Sequence, residues 1–175
     1  MASKLKEPML IILGGLPGTG KTTLSRLLAQ SIGAVHLRID TIEIAITHST
    51  LMVKDPENAG YLAAYGIAKD NLLIGRTVIA DNVNSIQVTR DAWREVAVST
   101  GCNFVEIEIS CSDKKEHLKR VQNRTADIKG HELPTWQEII DHDYEHWKLK
   151  GLHIDTAVHN PEHCVSIILQ FLSQQ

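Results

Sequence analysis

The run "MLIILGGLPGTGKTT", residues 9–23, constrains this chain more than any other stretch. Its first part, Met9–Leu13, is continuously apolar, the pattern of a strand buried on both faces. The following run, Gly15-Leu-Pro-Gly-Thr-Gly20-Lys21-Thr22, leads into a segment with Leu24, Leu27, Leu28 and Ile32 at helical spacing. Glycines in such a turn accept positive φ and let the backbone approach an anion without a Cβ in the way. The turn's N–H groups and the helix N-terminus then aim positive partial charge at that anion. Lys21 is placed to reach the β- and γ-phosphates of a nucleoside triphosphate, and the Thr22 hydroxyl to ligate Mg²⁺. The expected phosphate-binding set is Gly15, Leu16, Pro17, Gly18, Thr19, Gly20, Lys21, Thr22 and Thr23.

The rest of the chain alternates strand and helix patterns. "AVHLRID" alternates apolar Val35, Leu37 and Ile39 with His36, Arg38 and Asp40, which predicts an edge strand with one wet face, ending at Asp40. Residues 41–55 are ambiguous. A helix is expected from Pro56, then a strand over Thr77–Asp81, and a helix over Ile86–Thr100 closed by Gly101. "FVEIEIS" reads as a fourth strand and "DKKEHLKRVQNR" as a charged helix. A helix over Pro134–Leu149 would stripe Trp136, Ile140, Tyr144 and Trp147. "LHIDTA" is a fifth strand, and Pro161–Leu172 the last helix. Repeated βα units predict an α/β three-layer sandwich, with a five-stranded, mostly parallel sheet between helices.

The chain's 175 residues suit a single domain spanning 1–175. With 43% hydrophobic and 22% charged residues and a net charge of −3, it carries no global footprint for duplex nucleic acid or for a membrane surface. Cys102, Cys111 and Cys164 lack CxxC spacing and are read as structural thiols of a cytoplasmic protein. No apolar run is long enough for a signal peptide core or a membrane span. A monomer or a homodimer is expected.

A phosphate cradle serves hydrolysis, switching or transfer, and residues outside it separate these. Asp81 ends the third strand, where an acid can hold Mg²⁺ directly or through water. Asn82 follows it, where ATP-hydrolysing motors place a glutamate to orient water. The nearest approach to a guanine-reading motif, "AKDN" at 68–71, fails. Asp40 falls at the C-terminal edge of the sheet, where a carboxylate can take a hydroxyl proton as that oxygen attacks a phosphoryl group. Capping the helix that follows is the structural alternative for Asp40.

With these residues in place the chain resembles the small P-loop kinases that phosphorylate hydroxyl groups: gluconate, shikimate, adenylylsulfate and polynucleotide kinases. "DTIEIA" looks most like chloramphenicol phosphotransferase and uncharacterised bacterial P-loop kinases. The resemblance implies a P-loop NTPase fold of small-molecule kinase type, with ATP and Mg²⁺ as cofactors and a small-molecule hydroxyl as acceptor. It implies Asp40 as candidate base, and a helical lid at about 113–133 whose Arg120 and Arg124 close over the phosphates. Glu43 stands where many members carry an arginine, so a clamp for an anionic acceptor is not expected there. The competing reading is a nucleotide-binding regulatory ATPase with no acceptor.

The charged helix has only Leu118 and Val121 as an apolar stripe, which predicts a loosely seated element. His142 and His146 would sit i, i+4 on a helix, but "HDYEH" lacks the hydrolytic zinc order, and a metal site is not favoured. Trp136 and Trp147 are read as core; Arg38 and Arg90 are placed where they could meet an acceptor near the crevice, with a surface ion pair as the more ordinary reading of each. The acceptor pocket is expected between Asp40 and the helix bearing Tyr61 and Tyr65.

Overall fold

A computed structural model describes residues 7–147 and 151–175. Strand β1 (Met9–Gly14) is buried at every position. It lies between β3 (Val78–Asp81) and β4 (Asn103–Ser110), in a five-stranded parallel sheet of order β2-β3-β1-β4-β5. β2 (Val35–Arg38) and β5 (Leu152–Asp155) are the edges. β1 explains its own composition. Ile11 and Leu13 face α1 (Lys21–Ile32) and α7 (Pro161–Leu172), while Leu10 and Ile12 face α3 (Ala59–Leu73) and α4 (Gln87–Thr100). Each such side chain, fully withdrawn from water, stabilises the fold by about 1.5–3 kcal/mol. The three-layer expectation holds, and so does β2 as an edge strand.

Boundaries moved where local chemistry intervened. β2 stops at Arg38, and Asp40 does not end it: Asp40 lies in the first turn of α2 (Ile39–Thr47). An acid there is favoured by the helix N-terminus. α3 starts at Ala59 rather than near Pro56, because Glu57 takes φ 46° and its N–H is held by the Asp55 carboxylate at 2.9 Å. The expected 134–149 helix is one short helix, α6 (Trp136–Ile140), launched by a Thr135–Glu138 capping box. Lys148 and Leu149 lie outside the described residues. Trp136, Ile140, Tyr144 and Trp147 therefore form no helical stripe.

The order of the sheet places the site. The β3–α4–β4 connection passes over β1, so the C-terminal ends of β1 and β3 border the crevice where such sheets bind ligands. The register sets Leu13 beside Asp81, and Arg38 beside Asp81 from the other side. α5 (Lys114–Asn123) and α6 pack on each other. Among the described residues, no helix is long and apolar enough to cross a membrane. Cys111 and Cys164 are buried, Cys102 is half-buried, and all three are free thiols.

Candidate functional site

The loop after β1 is shaped by what its glycines exclude. Gly15 has φ 137°, and a Cβ there would run into the Ile109 carbonyl oxygen. Gly18 has φ 83°, and its Cβ would stand 2.6 Å from Val121 Cγ2 of α5. Below the loop, Asn84 Nδ2 donates to the Leu13 carbonyl at 2.7 Å, and the Gly15 N–H to the Val83 carbonyl at 3.0 Å. "NVNS" thus braces the loop through Val83 and the buried Asn84, and Asn82, 4% exposed, lines the cleft beside it.

Lys21 is 7% exposed and donates to the Leu16 carbonyl at 3.0 Å. Burial pushes its pKa down to about 8, and the carboxylates of Asp81 and Asp40 only partly offset this. A buried ammonium short of anionic partners, under a cradle of N–H groups, fits a bound polyphosphate. Asp81 is 3% exposed, and His36 Nε2 lies 2.9 Å from its Oδ2. Thr22 and Asp81 line one cleft. A hydroxyl and a carboxylate are the oxygen donors that Mg²⁺ takes beside retained waters, so the residues fit that ion.

The cleft measures about 520 Å³ and brings together most of the sequence-predicted set: Pro17, Gly18, Gly20, Lys21, Thr22, Thr23, Asp40, Asp81, Arg120 and Arg124. Gly15, Leu16 and Thr19 do not line it; Leu16 and Thr19 shape the loop from behind through the Thr19 hydroxyl, which donates to the Leu16 carbonyl at 2.9 Å. Tyr61 and Tyr65 do not line it either: they pack on the core below α3, and burial raises both phenol pKa values, that of Tyr65 to about 12.

α5 is not loosely seated. His117 is 6% exposed and its Nε2 donates to the Pro17 carbonyl at 2.8 Å. Arg120 donates to the Thr156 hydroxyl at 2.8 Å and to the Thr156 carbonyl at 3.0 Å. Thr156 Oγ1 in turn lies 2.8 Å from the Thr19 carbonyl oxygen. Polar ties thus supplement the narrow apolar stripe of Leu118 and Val121. Arg124 follows α5 as its C-cap, in extended backbone. Burial lowers its pKa, against the opposing charges of Asp40 and Asp127.

Arg38 and Arg90 are not surface residues. Arg90 is fully buried, donates to the carbonyls of Ser85 (3.1 Å), Ile86 (3.2 Å) and Glu145 (2.9 Å), and lies 5.0 Å from the Trp147 ring centroid. Arg38 is 8% exposed and lines the cleft. Its Nε and Nη2 donate to Asp40 Oδ2 at 3.3 and 3.0 Å, and its Nη1 to both oxygens of Asp127 at 2.9 and 2.8 Å. Arg26 also donates to Asp127 Oδ2. Burial alone would raise the Asp127 pKa, but the hydrogen bonds and charges of the two arginines hold it at about 2. Sequence reasoning missed Arg26, His36, His117, Asp127 and Thr156; of these only His36 left a signal, as a polar residue on the wet face of β2. Trp147 packs on the core as expected, whereas Trp136 meets His117 edge-on with ring centroids 5.1 Å apart. His142 and His146 lie beyond α6, and no cluster able to hold a metal ion occurs among the described residues' His, Cys, Asp and Glu side chains.

No curated protein matches the chain. Solved structures do, over nearly its whole length. The Mycobacterium tuberculosis APS kinase CysC in complex with AMPPNP and APS superposes with TM-score 0.72 at 15% identity, covering 97% of this chain and 99% of that one. A gluconokinase from Sinorhizobium meliloti 1021 gives 0.66 at 17%, covering 95% and 93%. Chaetomium thermophilum Kti12 in complex with ADP-AlF3 gives 0.67 at 20%, covering 92% and 97%. The shared fold is that of the small P-loop kinases. A family model described as an AAA domain matches residues 10–140, which hold β1 from its second residue on, the phosphate loop, Asp40, Asp81 and the whole of α5, and on that match the chain belongs to this AAA-domain family.

Proposed function

We propose that the chain transfers the γ-phosphoryl group of ATP to a hydroxyl of a small molecule. One observation carries this reading: Asp40, its carboxylate held by Arg38, lines the same cleft as the phosphate loop, Lys21 and Thr22. A carboxylate facing a phosphate cradle is what an attacking hydroxyl needs. In the proposed reaction the acceptor oxygen bonds to the γ-phosphorus as its proton passes to Asp40. The bond from phosphorus to the bridging oxygen breaks, and ADP leaves. Lys21 and the loop amides hold the transferring charge, and Arg120 and Arg124 cover it from the lid formed by residues 113–133. Thr22 and Asp81 would hold Mg²⁺, which when bound neutralises charge on the β- and γ-phosphates. A closed lid keeps water from the phosphoryl group.

The regulatory-ATPase reading draws support from the likeness to Kti12 in complex with ADP-AlF3. Against it stands Asn82, buried beside the brace under the loop at the position where a motor's water-orienting glutamate would sit. The test is to incubate γ-labelled ATP with fractionated metabolites and the protein. Label moving into an organic product is expected; label found only as inorganic phosphate in every fraction overturns the transfer reading.

A further inference from the structure

The cleft holds a carboxylate that the phosphotransfer reading does not use. Asp127 comes from the lid segment after α5, and reaches back to Arg26 on α1 and Arg38 at the end of β2. Arg38 divides its guanidinium: one edge holds Asp40, and the remaining Nη1 holds Asp127. Two arginines on one carboxylate, one of them buried, form an anion site of the kind that takes carboxylate or phosphate. Arg26, Arg38 and Asp127 all line the cleft, so the site is continuous with the place where an acceptor would lie. A group bound on Arg38 Nη1 would be separated from Asp40 only by the width of the guanidinium.

Resting on the phosphotransfer reading, we infer that Asp127 stands in for an anionic group of the acceptor, so that the substrate is an alcohol carrying a carboxylate or a phosphate. The arginine absent at Glu43 is thereby replaced by Arg38 and Arg26, from a different strand and helix. Glu43 itself is half-buried under Gly60, and its pKa is raised by burial and by Asp40 and Asp55, so it offers no cationic contact. An acceptor anion on the arginine pair displaces Asp127 and puts its own hydroxyl beside the Asp40 carboxylate. Asp127 also ties the lid segment to α1 and β2, so the displacement reports the acceptor's arrival to the lid.

A self-occupied site lowers apparent affinity by the fraction of time it is occupied, so removing the occupant raises affinity. The probes are inorganic phosphate in one arm and glycolate in the other, each titrated calorimetrically into full-length protein saturated with Mg-ADP. In Asp127→Asn one of the two anions binds at least about tenfold more tightly than in the parent. Adding Arg26→Gln removes that gain; Arg26 is half-exposed, so this change spares the core. The arm that gains tells phosphate from carboxylate. Equal or weaker binding of both anions in Asp127→Asn overturns the inference and leaves Asp127 as a plain lid tie. A gain that survives Arg26→Gln also overturns it, since the anion would then lie elsewhere, for example at the γ-phosphate position. Failure of the parent to bind Mg-ADP overturns the phosphotransfer reading, and this inference with it.

Discussion

Lys21 is the residue whose chemistry is most out of balance. Burial holds its pKa near 8 against an ordinary 10.5, so between those values the unfolded chain binds the extra proton and the folded chain does not. Stability of the free protein therefore rises as pH climbs through that window. Phosphates arriving at Lys21 restore the charged form. Binding of Mg-ADP at pH 8.5 is expected to draw a proton from the buffer, seen as calorimetric heats that scale with buffer ionisation enthalpy and lose that dependence in Lys21→Met. Asp40 invites a second measurement at this scale. Asp40→Asn keeps a partner for Arg38 but cannot take the hydroxyl proton, so transfer should fall about 10²–10⁴-fold. Mg-ATP affinity should stay within a few-fold; loss of both together would make Asp40 a structural residue. Lys21, Asp40 and Asp81 were legible because each follows a strand pattern or closes a motif. Asp127 was not: nothing in "NRTADIKG" marks it, and its role exists only because folding brings Arg26 and Arg38 to it from 101 and 89 positions away.

At the scale of elements, α5 shows how a very polar helix with a narrow apolar stripe is held. His117 on Pro17, Val121 against Gly18 and Arg120 on Thr156 dock it on the phosphate loop by shape and hydrogen bonds. Thr156 is the keystone, because its one hydroxyl serves both Arg120 and the Thr19 carbonyl. Thr156→Val keeps the shape and removes the hydroxyl, leaving that buried carbonyl less satisfied. It should cost about 1–3 kcal/mol in urea unfolding and weaken Mg-ADP binding with it. Unchanged stability would mean that the tie is made to water as readily. The misread helix at 134–149 teaches the converse. Its spacing of large side chains at three and four residues mimics a stripe, but beyond Ile140 the segment is held by hydrogen bonds of another kind. Tyr144 donates to Glu108 at 3.0 Å, Trp147 to the Tyr144 hydroxyl at 2.8 Å, and the Glu145 N–H to the Ser85 carbonyl at 2.8 Å. Two tertiary hydrogen bonds and one local one hold the backbone that periodicity had assigned to a helix.

Across the whole molecule, the sheet and the phosphate end of the cleft could be read from the chain, because buried strands and glycine-rich turns are local signals. The end proposed for the acceptor could not, since Arg26, Arg38, Asp40 and Asp127 come from α1, β2, α2 and the segment after α5, and their meeting depends on strand order. The sheet carries a further consequence for how the protein is made. β1 is synthesised before both its neighbours, β3 and β4, with two helices lying between β2 and β3. The Thr156 hydroxyl that steadies the phosphate loop arrives 137 residues after its partner Thr19. Pairings so distant along a chain form slowly and late. A nascent chain thus carries the signature of a nucleotide site before it can hold a nucleotide, and its most apolar strand waits unpaired until β3 and β4 have followed. That strand is the segment for which early chaperone protection matters most.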